Sequence, residues 1–265
     1  MRVILLLALV VMLTASGGQG MEATDLWENA LVRQDSERGK LVVATEPQFR
    51  PFEWKNDKNE LVGFDIDLAR MIGKELGVEV EFLEVAWTSI IPTLLGGKAD
   101  LIMSGMTATP KRALTVSYTD PYFHTITCLL VSTAKGGDIK SIADLNQPGR
   151  VVAVKEGTTG HVAAQKHCPK AKVVSTELEN DAANEVVQGK ADAFLYDLWS
   201  IRQHHKNNPD TTRVITTPVS REPYAIAVRK GDPESVAWLN LVLRTLRLDG
   251  RLQELYEKYG LEDVR

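Results

Sequence analysis

Cysteine is nearly missing from this chain: Cys128 and Cys168 are the only two in 265 residues. Neither stands beside histidine at a spacing that builds a zinc or iron site, and the five histidines are scattered apart from His204-His205. No metal centre and no cofactor is therefore expected. In an oxidising compartment the two thiols either pair or stay buried and free, and spacing leaves both open. Basic runs are missing as well: no five Lys or Arg follow one another, and the formal net charge is −4. Nucleic acid and anionic membrane surfaces are poor partners for such a chain. Beyond the N-terminus no apolar stretch approaches the roughly 20 residues that span a bilayer. Phosphate loops are lacking too. Gly157-Thr158-Thr159-Gly160 is not a dinucleotide fingerprint, nor a P-loop, because no Gly-Lys-Ser/Thr follows.

What is present begins at the N-terminus. Arg2 supplies one positive charge, Val3 to Leu13 run without a polar residue, and Thr14-Ala15-Ser16-Gly17-Gly18 are small. This is the layout of a secretory signal peptide over residues 1–20, too short to span as a helix; the competing reading is an uncleaved anchor. No Cys follows the apolar run, so a lipoprotein anchor lacks its acceptor. The mature protein is expected to be exported from the cytoplasm, with no membrane insertion once the leader is removed. Residues 21–40 read as an N-terminal helix and linker, with Leu26, Trp27, Ala30 and Leu31 at helical spacing.

From Leu41 onward strands and helices alternate. Apolar runs at 41–45 and 99–104 and the alternating 78–85 read as strands, with helices at 64–76 and 89–95 that end at glycines. A parallel sheet covered on both faces is expected. A second cycle runs through strands at 128–132, 151–154, 173–174 and 191–196 and helices at 160–167 and 181–188. A strand at 225–228 and a helical tail at 233–259, broken at Gly250, complete the chain. Gly97-Lys98-Ala99-Asp100 and Gly189-Lys190-Ala191-Asp192 repeat one phrase. Either common turn residues coincide, or two lobes share a design. Two α/β lobes make a cleft, and ligands bind beyond the carboxyl ends of strands.

Several polar residues fall at such positions. Gly105, Thr107 and Arg112 follow the 99–104 strand, and a guanidinium fork suits a carboxylate. The same stretch also reads as a helix start, with Thr109 as N-cap and Pro110 at N1. Thr159 precedes the 160–167 helix, in a loop whose backbone N–H groups attract anions. Asp197 ends a strand after Tyr196 and serves either a ligand ammonium or the N-cap of the next helix. Glu46 and Phe49 follow the first strand, Trp87 precedes the 89–95 helix, and Lys155 follows the 151–154 strand.

Five phrases in order carry a resemblance: Leu41-Val42-Val43-Ala44-Thr45-Glu46; Phe49-Arg50-Pro51-Phe52; Gly63-Phe64-Asp65-Ile66-Asp67-Leu68; Ile102 through Thr107 to Arg112; and Tyr118-Thr119-Asp120-Pro121-Tyr122. Together they resemble the polar amino-acid solute-binding proteins of bacterial ABC importers, from about Gly39 to the C-terminus. The resemblance implies an α/β, two-lobed periplasmic binding protein fold with two hinge strands, near 122–126 and 223–227. Each lobe would be a βαβ-type sheet flanked by helices. Lobe 1 would comprise 41–123 and 225–265, and lobe 2 would comprise 124–224.

The resemblance also implies roles. Arg112 would clamp the α-carboxylate of a free L-amino acid, helped by Thr107 and the Thr159 N–H. Asp197, the Gly105 carbonyl and Thr107 would take the ammonium, Phe49 and Trp87 would sandwich the side chain, and Glu46, Lys155 and Tyr196 would read its end. A Glu/Lys pair suits a glutamine-like side chain, whereas Glu46 alone would suit lysine or arginine. The partner would be the membrane permease of an ABC importer, served by a monomer whose cleft closes on ligand. Cyclohexadienyl dehydratases share the fold, but Asp197-Leu198-Trp199-Ser200-Ile201-Arg202 has no Glu after the Asp, so no enzyme is expected. The chain stops soon after the last helices, so no appended kinase or lysozyme-like domain is expected either.

Overall fold

The computed structural model describes Gln34 and residues 37–261; the expected signal peptide, and the 21–40 segment up to residue 33, lie outside the described residues. Strands β1 (Lys40–Thr45), β5 (Glu79–Glu84), β6 (Leu101–Ile102), β7 (Val116–Tyr118) and β13 (Ala227–Arg229) form one sheet in the order β5-β1-β6-β13-β7. A second sheet has the order β10-β9-β11-β8-β12, built from β8 (Phe123–Ser132), β9 (Val151–Lys155), β10 (Lys172–Thr176), β11 (Ala193–Asp197) and β12 (Thr212–Tyr224). A small third sheet joins β2 (Gln48–Phe49), β3 (Glu53–Lys55) and β4 (Leu61–Val62).

Each large sheet has three strands paired in parallel, β5-β1-β6 and β10-β9-β11, and two more added through antiparallel pairing. The wholly parallel sheet expected from the alternation is corrected to a mixed one. The reason is that the chain crosses between the sheets twice and each crossing brings in antiparallel strands. The crossings are residues 119–122, between β7 and β8, and 225–226, between β12 and β13. They are tied side by side: Thr119 N–H donates to the Ile226 carbonyl (3.0 Å), and Tyr122 N–H to the Tyr224 carbonyl (2.9 Å). Beneath them the scarce aromatics cluster, with Phe52 5.3 Å from Phe123 and 5.1 Å from Tyr224 between ring centroids.

Helix α1 (Phe64–Leu76) turns Phe64, Leu68, Ala69 and Ile72 inward at the helical period and ends at Gly77. Its entry demands glycine. Gly63 has φ 137°, and a Cβ there would lie 2.1 Å from the Phe52 carbonyl oxygen. Gly63→Ala is expected to destabilise the fold by at least about 2 kcal/mol through strain and overlap; an unchanged melting temperature would contradict this.

Helices α2 (Trp87–Leu95), α3 (Thr159–His167), α4 (Glu179–Val187), α5 (Leu198–Asn207), α6 (Pro233–Leu248) and α7 (Arg251–Tyr259) complete the structure. Trp87 is thus the first residue of α2 rather than a residue ahead of it. The stretch after Thr109 is a single 3-10 turn, Arg112–Leu114, although the Thr109 hydroxyl does accept the Arg112 N–H at 3.2 Å.

The repeated Gly-Lys-Ala-Asp phrase does the same work twice. Asp100 N–H donates to the Val42 carbonyl and its carboxylate accepts the Val42 N–H, both at 2.8 Å. Asp192 does the same to Val151, with both bonds at 2.8 Å. A side chain thereby replaces one rung of the ladder, which is why β6 is shorter than the 99–104 apolar run. Each Asp also meets an arginine, Arg38 or Arg150. Cys128 and Cys168 are both free and buried. Burial pushes the Cys128 thiol up to about 12, which leaves it an inert apolar filler.

Candidate functional site

One pocket lies between the two large sheets. The first lobe lines it with Glu46, Phe49, Glu53, Trp87, Ser104, Gly105, Thr107 and Arg112, and the second with Thr158, Thr159, Tyr196 and Asp197. Nine of the ten residues picked out from the sequence stand here together. The tenth, Lys155, sits just behind the wall, 1% exposed, with its ammonium on the Glu46 carboxylate.

Glu46 is held where β1 ends. Its N–H donates to Ser104 Oγ at 3.0 Å, and its Oε1 accepts the Trp87 N–H at the start of α2 at 3.2 Å. Its Oε2 takes the Lys155 ammonium from the end of β9, so this ion pair joins the lobes across the cleft. Trp87 is flanked by two cations, with Arg112 Cζ 5.1 Å and Lys155 Nζ 5.9 Å from its ring. Phe49 packs edge-on to Tyr196, with centroids 5.8 Å apart. Gly105 lets this loop pass: its φ is +52°, and a Cβ would meet Phe49 Cε1 at 2.5 Å.

Arg112 reaches both lobes. One terminal nitrogen donates to the Thr107 carbonyl at 3.1 Å and the other to the Gly157 carbonyl at 3.2 Å. Desolvation lowers the pKa of its guanidinium, so a buried anion beside it would be strongly favoured. Thr158 caps α3, accepting the His161 N–H at 3.3 Å and donating to the Lys155 carbonyl at 2.8 Å. That leaves Thr159 in the first turn of the helix, facing the cleft.

Asp197 occupies the N-cap position of α5, but its side chain caps nothing. The carboxylate instead accepts the Tyr224 hydroxyl. Burial, then the nearby Glu222, raises its pKa well above the ordinary carboxylate range, a cost that a bound cation would relieve. Thr107 Oγ1 donates to Glu222 Oε2 at 2.7 Å. Its single proton is therefore committed, and its lone pairs face the pocket as acceptors.

Sequence reasoning missed Glu53, Ser104 and Thr158 on the wall and Glu222 and Tyr224 behind it. Glu222 also accepts from Thr127 Oγ1 at 2.6 Å, so it fixes the second crossing to both the 105–108 loop and β8. The only sequence signal for Glu53 is an acid set between Phe52 and Trp54. Among the described residues no three His, Cys, Asp or Glu side chains stand together as metal ligands, and no helix is long and apolar enough to cross a membrane.

Comparison with known proteins adds an independent view. The profile of the bacterial extracellular solute-binding proteins, family 3, matches residues 41–262. A probable histidine-binding protein of Neisseria gonorrhoeae is 34% identical over 252 residues, 93% of this chain and 90% of that protein. An ABC transporter glutamine-binding protein of Bacillus subtilis strain 168 is 34% identical over 263 residues, 96% of this chain and 94% of that one. Among solved structures, an ancestral amino-acid-binding protein described as a precursor of cyclohexadienyl dehydratase superposes with a TM-score of 0.80. It is 41% identical and covers 87% of this chain and 99% of its own.

Proposed function

The chain belongs to the bacterial extracellular solute-binding proteins, family 3, and from that premise we propose that its cleft captures a free L-α-amino acid whose side chain carries nitrogen. Such a protein binds and releases; it is not an enzyme. Glutamine is the first candidate, and the named specificities of the relatives, glutamine and histidine, support a nitrogen-bearing side chain.

The observation that carries the reading is the pairing of Arg112 with Asp197 in one pocket. A zwitterion needs one fixed cation and one fixed anion, because a buried unpaired charge is costly. Arg112 and the Thr159 N–H would hold the carboxylate. Asp197, the Gly105 carbonyl and Thr107 would hold the ammonium. With its proton given to Glu222, the Thr107 hydroxyl would serve the ammonium rather than the carboxylate. Phe49 and Trp87 would flank the side chain, with Tyr196, Glu46 and Lys155 beyond. Because Lys155 is spent on Glu46, while Glu53 adds a further acid, a basic amino acid is a second reading.

Closure would swing the lobes, 41–123 with 225–265 against 124–224, about the paired crossings. Ligand would favour the closed form through contacts to both lobes. Export by residues 1–20, release into the periplasm as a monomer and delivery to the permease of an ABC importer complete the proposal.

A thermal-shift screen of the twenty amino acids tests it. Ligand at a thousand times its Kd adds about 4 kcal/mol, or about 8–16 °C in a chain of this size. A rise confined to glutamine or to basic amino acids supports the reading, and no rise with any amino acid defeats it.

A further inference from the structure

Three acids line the cleft: Glu46, Glu53 and Asp197. Glu46 is paired with Lys155, and Asp197 answers the ligand ammonium. Glu53 is left over. It is 1% exposed, its Oε1 accepts the Ser104 hydroxyl at 2.7 Å, and its Oε2 has no hydrogen-bond partner. A buried polar atom without a partner calls for one, and on a pocket wall a ligand group can supply it.

The charged groups around Glu53 come from three elements. Glu46 lies at the end of β1, Asp65 on α1, and Lys155 at the end of β9, already engaged by Glu46. Asp65 accepts the Gly105 N–H at 2.7 Å and the Tyr122 hydroxyl at 2.8 Å, and burial pushes its carboxyl up to about 7. Burial first, then Asp65 and Glu46, hold Glu53 well above the ordinary carboxylate range. Without a nearby cation its neutral form is favoured.

On the reading of this cleft as an amino-acid site, we propose that Glu53 selects the ligand side chain by exchanging its proton for a cation. A neutral carboxyl pairs with a carboxamide, donating to the amide oxygen and accepting an amide N–H, and no proton moves. A guanidinium or ammonium instead takes the ionised Oε2, and the displaced proton leaves to solvent. Glutamine binding is then proton-neutral at Glu53, whereas arginine binding releases one proton there. Below the pKa that the carboxyl has in the glutamine complex, arginine affinity rises with pH relative to glutamine, by up to about tenfold per unit, and levels off above it.

Both ligands carry the same α-ammonium, so any proton displaced at Asp197 is common to both and cancels in the comparison. Titration calorimetry of the mature protein with arginine and with glutamine, in buffers of different ionisation enthalpy between pH 5 and 8, counts the protons. The expected result is about one proton more for arginine at the acid end, fading as pH rises. In Glu53→Gln, which keeps an oxygen for Ser104, the excess disappears and arginine affinity falls at least tenfold more than glutamine affinity. Equal proton release by the two ligands in the wild-type protein overturns the proposal, as does glutamine binding with no arginine binding at any pH. So does an excess that persists in Glu53→Gln. Binding of neither ligand by a folded protein removes the amino-acid reading itself, and this proposal with it.

Discussion

Arg112→Ala is expected to weaken amino-acid binding by about 10² to 10⁴-fold while leaving the unliganded fold close to its original stability. The guanidinium touches the Thr107 and Gly157 carbonyls and the face of Trp87, so it reaches both lobes, and unlike Lys155 it has no carboxylate partner of its own among the described residues. Removing it strands the ligand carboxylate in a closed, dry cleft. Breaking one side of a buried charge pair costs about 3–5 kcal/mol, and each 1.4 kcal/mol is tenfold in Kd. The guanidinium's hydrogen bonds to the two carbonyls are charge-assisted, but one is only part-buried and the other exposed. Water can take over both in the free protein, so the loss should appear more in affinity than in the melting temperature of the free protein. Arg112→Lys should recover only part of it, since a point charge does not reproduce a two-pronged fork. Titration calorimetry decides the matter; wild-type affinity in Arg112→Ala would falsify the head-group assignment.

How far this site could be read from the sequence depended on how local each signal was. Glu46, Arg112, Thr159 and Asp197 follow short strands, and β1, β9 and β11 are apolar runs that pattern alone exposes. Helix α1 needed only its inward period and Gly77. The strand β12 was invisible because Pro218, Pro223 and the Arg221-Glu222 pair interrupt any apolar alternation, and its register with β8 shifts between Ile215 and Ser220. Its ladder is held by pairing with a strand some 90 residues earlier in the chain. Glu222 and Tyr224 were missed with it, for their work is done on Thr107 and Asp197, far away in the chain. Glu53 was missed for the opposite reason. It opens the three-residue β3 of a short hairpin instead of following an apolar strand, and only burial beside Ser104 gives it a role. Position along the chain located the groups that touch a head group, while the groups that tune them needed the third dimension.

The Glu46–Lys155 pair carries the second large expectation. Both charges are buried in this structure and answer each other across the lobes, the arrangement that the proposed closure would produce. If the lobes part, as the proposed hinge motion requires, each would return to water. Lys155→Met should therefore leave Glu46 solvated in the open form but stranded in the closed one, at a cost of about 3–5 kcal/mol. That penalty falls on closure, so apparent affinity should drop about 10² to 10⁴-fold, and scattering at saturating ligand should report a larger radius of gyration than the wild type gives. Adding Glu46→Gln, which keeps an oxygen for the Trp87 N–H, removes the stranded charge. The double variant should then bind more tightly than Lys155→Met alone, because a buried pair replaced on both sides is close to neutral. If the two substitutions instead add, leaving the double variant weaker than either single one, the pair is not a latch across the cleft. Each residue would then be acting on the ligand by itself.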